Sequence, residues 1–289
     1  MSEIKNLNNS NIDEYINTCS NSCVQVGNPC ITFFKAVYRK HTNFFMQMQE
    51  FVANGTSIPN KTSDTTIDFI LPEGPSLYGN MHAEVVFDTS SFGSNTATYV
   101  NWTNNTGAAY LKEVSFKIGN REIDKYNSEL ADIYNELYDH HEYEHTGLNK
   151  HNAKNSYLKS NTSLPSLQLN IPLKFWFNRN IGLALPVCCM KHTADLHIQM
   201  KLRNPQTLIN HSTTVTGSPD LSSNFTNEIK LFANAIYLDI DEVNKFINND
   251  HEYLIEQFQI QGDDKALATN IDWTGLHNPI KELFWVIRT

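Results

Sequence analysis

The sequence has no long hydrophobic run and fewer basic than acidic residues. No apolar stretch approaches the roughly 20 residues that a membrane-spanning helix requires, so we expect no such helix. The first 26 residues lack a basic segment followed by an apolar core, and we therefore expect no signal peptide. With 22 basic and 31 acidic residues the net charge is −9. General nucleic-acid binding needs a basic face, so no direct nucleic-acid partner is expected.

Cysteine is also scarce, with only five residues in 289. An odd number, an adjacent pair and the absence of a leader indicate reduced thiols in a cytosol-like compartment. Cys19 and Cys23 have a spacing that suits a metal, but no matching second pair follows them. We expect no zinc site there. The cysteines are Cys19, Cys23, Cys30, Cys188 and Cys189.

Common enzyme signatures are missing, with one exception. The chain contains no Walker loop, no G-x-S-x-G and no G-x-G-x-x-G. Residues 141–145 read HEYEH, which matches the zincin motif H-E-x-x-H. In that motif two His one helical turn apart hold Zn²⁺ and the Glu activates water. The alternative hypothesis is therefore a zinc-dependent hydrolase, with His141, His145 and His151 as ligands and Glu142 as the base.

Two features of this motif favour a structural interpretation. Leu148 stands where the metzincin spacing requires Gly. The two His also fall at the polar end of a predicted helix, where cationic side chains are mildly stabilising without any metal. We therefore predict no catalytic residue, no metal and no cofactor, and not an enzyme.

Alternation of polar and apolar residues predicts an all-β protein with a few inserted helices. A composition of 40% hydrophobic and 18% charged residues is that of a globular chain. One helix is predicted to begin at Asn127 or Ser128. Short strands, long polar loops and no βαβ alternation favour an antiparallel sandwich of the jelly-roll or Greek-key kind. The predicted strands are 64–71, 81–88, 109–118, 167–177, 194–203 and 228–240, and the predicted loops are 89–107, 145–163 and 204–227.

The pattern restarts near the C-terminus. Residues 241–251 resemble a helical connector, and 252–260 and 280–288 are predicted strands. Two strands cannot enclose a core of their own. They either complete the first sandwich or begin a second one.

A family resemblance enters with residues 27–44, which read GNPCITFFKAVYRKHTNF. This stretch resembles the N-terminal signature of the major capsid proteins of nucleocytoplasmic large DNA viruses, G-x-P-Q-I-T-F-F-K-x-V-Y-R-R-H-T-N-F. Cys30 stands where Gln is usual, and Lys40 replaces Arg conservatively. Further segments resemble the family in the same order: 122–137 its strand-to-helix insertion, 237–257 its junction between two jelly rolls, and 277–287 an early strand of the second roll.

The resemblance implies a structural virion protein, a subunit of a trimeric pseudo-hexagonal capsomer in an icosahedral capsid. It implies an N-terminal arm (1–26), a complete first jelly roll (27–240), and a connector helix with the first strands of an incomplete second roll (241–289). Family members are much longer, so the chain is expected to be a fragment, a split product or a shortened paralogue. The implied partners are the chain itself as a homotrimer, neighbouring capsomers, minor capsid proteins and an internal virion membrane, with assembly in the host cytoplasm.

The basic residues of the signature have two interpretations. Lys35, Arg39, Lys40 and His41 either meet acidic neighbours or anionic lipid headgroups at the inner face of the shell, or are solvated charges beside a core strand. Both remain open. Two further alternatives are a jelly-roll carbohydrate-binding module with an exposed aromatic residue in 99–102, Tyr99 or Trp102, and a non-virion scaffold of the same fold.

Overall fold

Strands dominate the part of the chain that the computed structural model describes. These residues are 43–55, 58–60, 62–88, 90–91, 100–138, 163–164, 166–190, 195–211, 221, 225–260 and 275–285. The strands within them are β1 (Phe44–Phe51), β2 (Ala53–Asn54), β3 (Thr65–Ile70), β4 (Leu77–Phe87), β5 (Ser90–Ser91), β6 (Val100–Trp102), β7 (Leu111–Ile118), β8 (Arg121–Asn127), β9 (Ser163–Leu164), β10 (Leu167–Pro172), β11 (Leu196–Leu202), β12 (Ile209–His211) and β13 (Asn227–Leu238).

Five short helices and two 3₁₀ turns accompany the strands in these residues. The α-helices are α1 (Thr106–Tyr110), α2 (Ser128–Tyr138), α3 (Trp176–Arg179), α4 (Val187–Met190) and α5 (Ile240–Asn248), and the 3₁₀ turns are Ile181–Leu183 and Pro205–Leu208. No helix in the described ranges has the length and apolarity needed to cross a membrane.

The strands form two main antiparallel sheets. One has the order β1-β13-β4-β10 and the other the order β2-β3-β11-β7-β8. Along the chain β3, β4, β7, β10, β11 and β13 pass repeatedly from one sheet to the other, so the connections wrap around the ends of the sandwich. This arrangement is a jelly roll, and it confirms the predicted fold class.

Strand β11 lies at the centre of the second sheet, and its buried residues alternate strictly. Its register pairs Ile198 with Phe69 of β3 on one side and with Phe116 of β7 on the other. The four residues predicted to share a face are all buried: Leu196, Ile198, Met200 and Leu202. Burial of one complete face holds the register, because a slip of one residue would turn that face to solvent.

Aromatic rings fill much of the space between the sheets. Phe87 of β4 packs 4.9 Å from the rings of both Trp102 and Tyr110. A second cluster surrounds Phe116 and contains Phe175, Trp176 and Phe177. Buried aromatic side chains contribute large apolar areas, so these clusters tie the short helices to the sandwich.

The sequence is right about α2 and about the residue that caps it. The side-chain Oδ1 of Asn127 accepts a hydrogen bond from the backbone N–H of Leu130 at 2.9 Å. Asn127 is therefore the capping side chain, and Ser128 is the first helical residue. The helix lies directly after β8, and Ala131 is buried against the core.

Three predicted segments are partly wrong. The strand over 167–177 ends at Pro172, because the side-chain amide of Asn178 occupies the next backbone groups: it donates to the carbonyl of Leu173, and its oxygen accepts the N–H of Met81. Trp176 then begins α3. The predicted loop 89–107 contains β6, and the predicted loop 204–227 contains β12. These two strands pair with each other across 107 to 111 residues of sequence, so neither segment alone shows the pairing.

The connector is helical as predicted, but the strand after it is not formed. Asp239 Oδ1 accepts the backbone N–H of Ile240 at 2.7 Å and begins α5. Residues 252–260 and 281–285 pair with no strand among the described residues. A strand is defined by its backbone ladder, and residues 257–258 instead bond to the middle of β8 through Ile123 and Asp124. We call residues 251–260 and 275–285 the tail.

Candidate assembly surfaces

The motif residues predicted from sequence lie outside the described part of the chain. This holds for the hypothetical zinc ligands and base, and for the basic residues of the N-terminal signature: His141, Glu142, His145 and His151, and Lys35, Arg39, Lys40 and His41. Both sets remain predictions. Among the residues that the structure does describe, no group of three or more His, Cys, Asp or Glu is placed to hold a metal ion.

The carbohydrate-binding alternative loses one of its two aromatic residues. Trp102 is only 2% exposed, and its ring packs against those of Phe87 and Phe225. A sugar-stacking residue must present its face to solvent, so Trp102 does not serve in that role. The prediction that it is exposed is wrong because β6 pairs with β12 and turns this side chain into the core. Tyr99 lies outside the described residues.

The first candidate surface is β1, which we call the β1 surface. Phe44, Phe45, Met46 and Met48 are each more than half exposed. One edge of β1 pairs with β13 over its whole length, and within the described residues no strand pairs with the other edge. Long apolar edge strands associate readily with other polypeptides, so this surface suits protein–protein contact.

The second candidate surface is the junction between the sandwich and the tail. The backbone N–H of Phe258 donates to Asp124 Oδ1 at 2.9 Å, and the amide of Gln257 donates to the carbonyl of Ile123. The Phe258 ring packs edge-on against Tyr126 and Tyr134. The tail is thereby anchored to β8 and α2.

Asp124 has an unusual environment at this junction. It is 3% exposed, and its second oxygen, Oδ2, is buried without a hydrogen-bond partner among the described residues. Burial raises the pKa of Asp124 to about 6, although the N–H groups of Phe258 and Lys125 and the charge of Arg179 oppose the rise. Desolvation disfavours the charged form of a carboxyl group, so the protonated form of this side chain is favoured to a higher pH than that of an ordinary aspartic acid.

Arg179 joins the same junction from α3. Its guanidinium lies 5.3 Å from the ring centroid of Tyr134 and 5.1 Å from that of Phe258. It also forms an ion pair with Glu256, which pairs in turn with Lys281. A planar cation between two rings stabilises both contacts, so Arg179 links α2 to both parts of the tail.

The tail continues along α2 and leaves apolar side chains exposed. Tyr138 donates its hydroxyl to Glu282, which raises the pKa of Tyr138. An open groove of about 380 Å³ runs between α2 and residues 283–285. The large apolar side chains that the tail leaves exposed are Leu254, Ile255, Ile260, Ile280, Leu283 and Trp285, which we call the tail surface. Clustered exposed apolar side chains are typical of a contact surface.

Comparison with known proteins places this sandwich in a family. The family model described as the N-terminus of major capsid proteins matches residues 32–239. The chain belongs to the major capsid protein family of large DNA viruses. The match covers nearly all of the jelly roll, from before β1 to the residue that precedes α5.

Curated relatives of this capsid-family chain come from several viruses. Capsid protein 1 of Acanthamoeba polyphaga mimivirus is 31% identical over 283 residues, which cover 91% of this chain and 46% of the relative. The major capsid protein of Pyramimonas orientalis virus is 34% identical over 264 residues, which cover 90% of this chain and 60% of the relative. The chain thus spans about half the length of the curated relatives it matches.

Solved structures share the fold. A chain in the quasi-atomic model of the PBCV-1 virus capsid matches with a TM-score of 0.60 and 24% identity, covering 79% of this chain and 50% of that one. The Faustovirus major capsid protein matches with a TM-score of 0.55 and 14% identity, covering 83% and 63%. At these identities the likeness establishes the jelly-roll fold alone.

Sequence reasoning missed the junction residues. Asp124 belongs to a segment that reads REIDKYN, in which three other residues are also charged, so nothing in the sequence distinguishes it. Its partner Phe258 is 134 residues away. A usable signal was the aromatic ring of Phe258 between two polar residues, Gln257 and Gln259.

Proposed function

We propose that the chain is a structural protein of the virion, a subunit of a homotrimeric, pseudo-hexagonal capsomer in an icosahedral capsid. The observation that carries this proposal is the match of residues 32–239 to the capsid family over a jelly roll. The protein acts by assembly: it is a rigid sandwich whose flat sides associate with other subunits through apolar patches. No catalytic residue takes part in it.

The proposal includes a division of the chain. Residues 1–26 are an arm, residues 27–240 the first jelly roll, and residues 241–289 the connector and the first strands of a second roll. The exposed side chains of the tail surface support the last part, because strands of a second sheet would bury Leu254, Ile280 and Trp285. The relatives are about twice as long as this chain, which is also consistent with a second roll.

The partners follow from the same proposal. The β1 surface and the tail surface meet other copies of the chain and neighbouring capsomers, and minor capsid proteins occupy the remaining contacts. The basic residues between 35 and 41 face the internal membrane of the virion. Assembly takes place in the host cytoplasm, and no nucleic acid is contacted directly.

Native mass spectrometry and negative-stain microscopy of the purified protein test this assembly. We expect trimers with a pseudo-hexagonal outline. The double substitution Met46→Asp with Met48→Asp places two charges on the β1 surface and is expected to give monomers. Gln47→Asp is the control, because Gln47 is an exposed polar residue on the same strand. A monomeric wild-type protein, or equal trimer fractions in all three proteins, contradicts the proposal.

A further inference from the structure

Cys188 and Cys189 form a pair of adjacent free thiols on α4. Their Sγ atoms are 3.9 Å apart. Cys189 is exposed and Cys188 is half-buried. The thiol of Cys189 donates to the backbone carbonyl of Phe246 at 3.4 Å, so the pair touches α5 directly. The dithiol therefore lies where the jelly roll meets its connector helix.

We propose that this pair is a reversible oxidation site for small peroxides, that it closes to a disulfide between adjacent residues, and that closure loosens α5. The inference is independent of a role in the capsid, because it depends only on the chemistry of the two thiols and their contact with Phe246.

The oxidation takes two steps. The thiolate of Cys189 attacks one oxygen of hydrogen peroxide, an S–O bond forms, the O–O bond breaks, and hydroxide leaves to become water. The sulfur of Cys188 then attacks the sulfenic acid on Cys189. An S–S bond forms, the S–O bond breaks, and the departing hydroxide takes the Cys188 proton to give a second water. The peroxide is reduced by two electrons, and the dithiol is oxidised by two.

Exposure and acidity assign different roles to the two thiols. Burial, with the neighbouring Cys189, raises the pKa of the Cys188 thiol to about 11. Only a thiolate is a good nucleophile, so Cys189 is the residue that meets the oxidant and Cys188 is the one that closes the ring.

Covalent geometry makes the closed form strained and therefore reversible. Adjacent Cα atoms are about 3.8 Å apart, whereas disulfide-linked Cα atoms are usually at least about 4.4 Å apart. Strained disulfides are more easily reduced and are the regulatory kind. The sulfurs must also approach from 3.9 Å to about 2.05 Å, which the four residues of α4 cannot accommodate without distortion.

The contact with α5 explains why closure matters beyond the pair. Oxidation removes the Cys189 proton that is donated to the carbonyl of Phe246. The same carbonyl is 2.8 Å from Nε2 of His251, whose ring stacks on that of Phe246. The end of α5 then keeps the His251 contact but loses its bond to α4.

Peptide mapping tests the modification. The protein is treated with hydrogen peroxide, alkylated with iodoacetamide and digested with trypsin. Cleavage after Arg179 and Lys191 releases residues 180–191, which contain Cys188 and Cys189 and no other cysteine. We expect this peptide to lose alkylation at both positions, to be lighter by two hydrogen atoms than the reduced, unalkylated peptide, and to be restored by dithiothreitol.

Hydrogen–deuterium exchange across residues 240–248 tests the consequence. Amide exchange is expected to be several-fold faster after oxidation and to return to its original rate after reduction. Cys189→Ser keeps a hydroxyl near Phe246 and is expected to make both readouts insensitive to peroxide. In Cys188→Ser the sulfenic acid on Cys189 is expected to be trapped by dimedone. The proposal is overturned if both cysteines are still fully alkylated after peroxide treatment, or if sulfinic acid forms in place of the disulfide. It is also overturned if the disulfide forms and amide exchange in 240–248 stays unchanged.

Discussion

At the scale of single residues, Asp124 combines deep burial with a contact between distant segments. Its carboxylate accepts N–H groups from Lys125 and from Phe258. These bonds favour ionisation, but desolvation outweighs them and the pKa rises to about 6 from 3.8. The folded state therefore prefers the protonated side chain.

The pH dependence of stability follows from that preference. The contribution of Asp124 is fully present below about pH 4 and is lost as the pH rises through about 6, because ionisation is easier in the unfolded chain. The loss is on the order of 3 kcal/mol. Asp124→Asn removes this pH-dependent loss. The free energy of unfolding of the variant minus that of wild type is therefore expected to rise by the same amount from pH 4 to pH 7. Urea titrations at several pH values measure the difference.

Asp64 provides a control of opposite sign. Its hydrogen bond with Lys112 lowers the pKa of Asp64. The stability that Asp64 contributes is present above the pKa of the unfolded chain and is lost as the pH falls. Asp64→Asn is therefore expected to lower the free energy of unfolding most at neutral pH. Identical pH profiles for Asp124→Asn and wild type would show that the carboxylate is not desolvated as described.

At the scale of elements, β11 is the strand on which the second sheet depends. Ile198 is 0% exposed and lies between β3 and β7. Ile198→Ala removes buried methylene groups and leaves a cavity, so unfolding is expected to be easier by about 2–5 kcal/mol.

Ile70, at the end of β3, is the matched control. It pairs with β11 but is 38% exposed, and Ile70→Ala is expected to change stability by less than about 1 kcal/mol. Chemical unfolding of both variants compares the same substitution at two burial levels. Equal losses of stability in the two variants would contradict the assignment of Ile198 as buried and Ile70 as partly exposed to solvent.

The elements also show what the sequence reveals and what it hides. Strands β3 and β11 alternate throughout, and β13 alternates as far as Ala235, because each has one buried face, and this local pattern is visible in the sequence. Strand β8 has fewer apolar positions, and only its resemblance to the capsid family marked it as a strand. Residues 252–260 alternate without forming one, because a strand needs a partner and pairing is not a local property.

Aromatic positions illustrate the same limit. Phe175 and Phe177 extend an apparent strand in the sequence, yet the strand ends at Pro172. Both rings enter the core, Phe175 from the residue before α3 and Phe177 from within it. The candidate surfaces were foreseen only in part. The apolar character of 280–288 was evident, but the packing of Arg179 between Tyr134 and Phe258 joins segments that no sequence window contains.

At the scale of the whole molecule, Arg179 joins the jelly roll to the tail. Arg179→Lys keeps the charge and loses the planar stacking on Tyr134 and Phe258. We expect the tail contact to weaken by about 1 kcal/mol and amide exchange in 251–260 to accelerate, with little change in the sandwich. Hydrogen–deuterium exchange measures both regions in one experiment.

Arg121→Lys is the control for this substitution. Arg121 is exposed on β8, the strand whose other residues hold the tail, so the same chemical change there is expected to leave exchange unaltered. Equal acceleration by both substitutions, or acceleration by neither, would show that the stacked guanidinium does not hold the tail.

The central claim concerns the place of this chain in a particle. The most direct measurement is quantitative mass spectrometry of gradient-purified virions, with residues 180–191 as one of the reporter peptides. The account predicts that peptides of this chain co-sediment with the particles and are among their most abundant peptides. Peptides that are plentiful in infected cells but absent from purified particles would contradict a virion role and would indicate a scaffold used only during assembly.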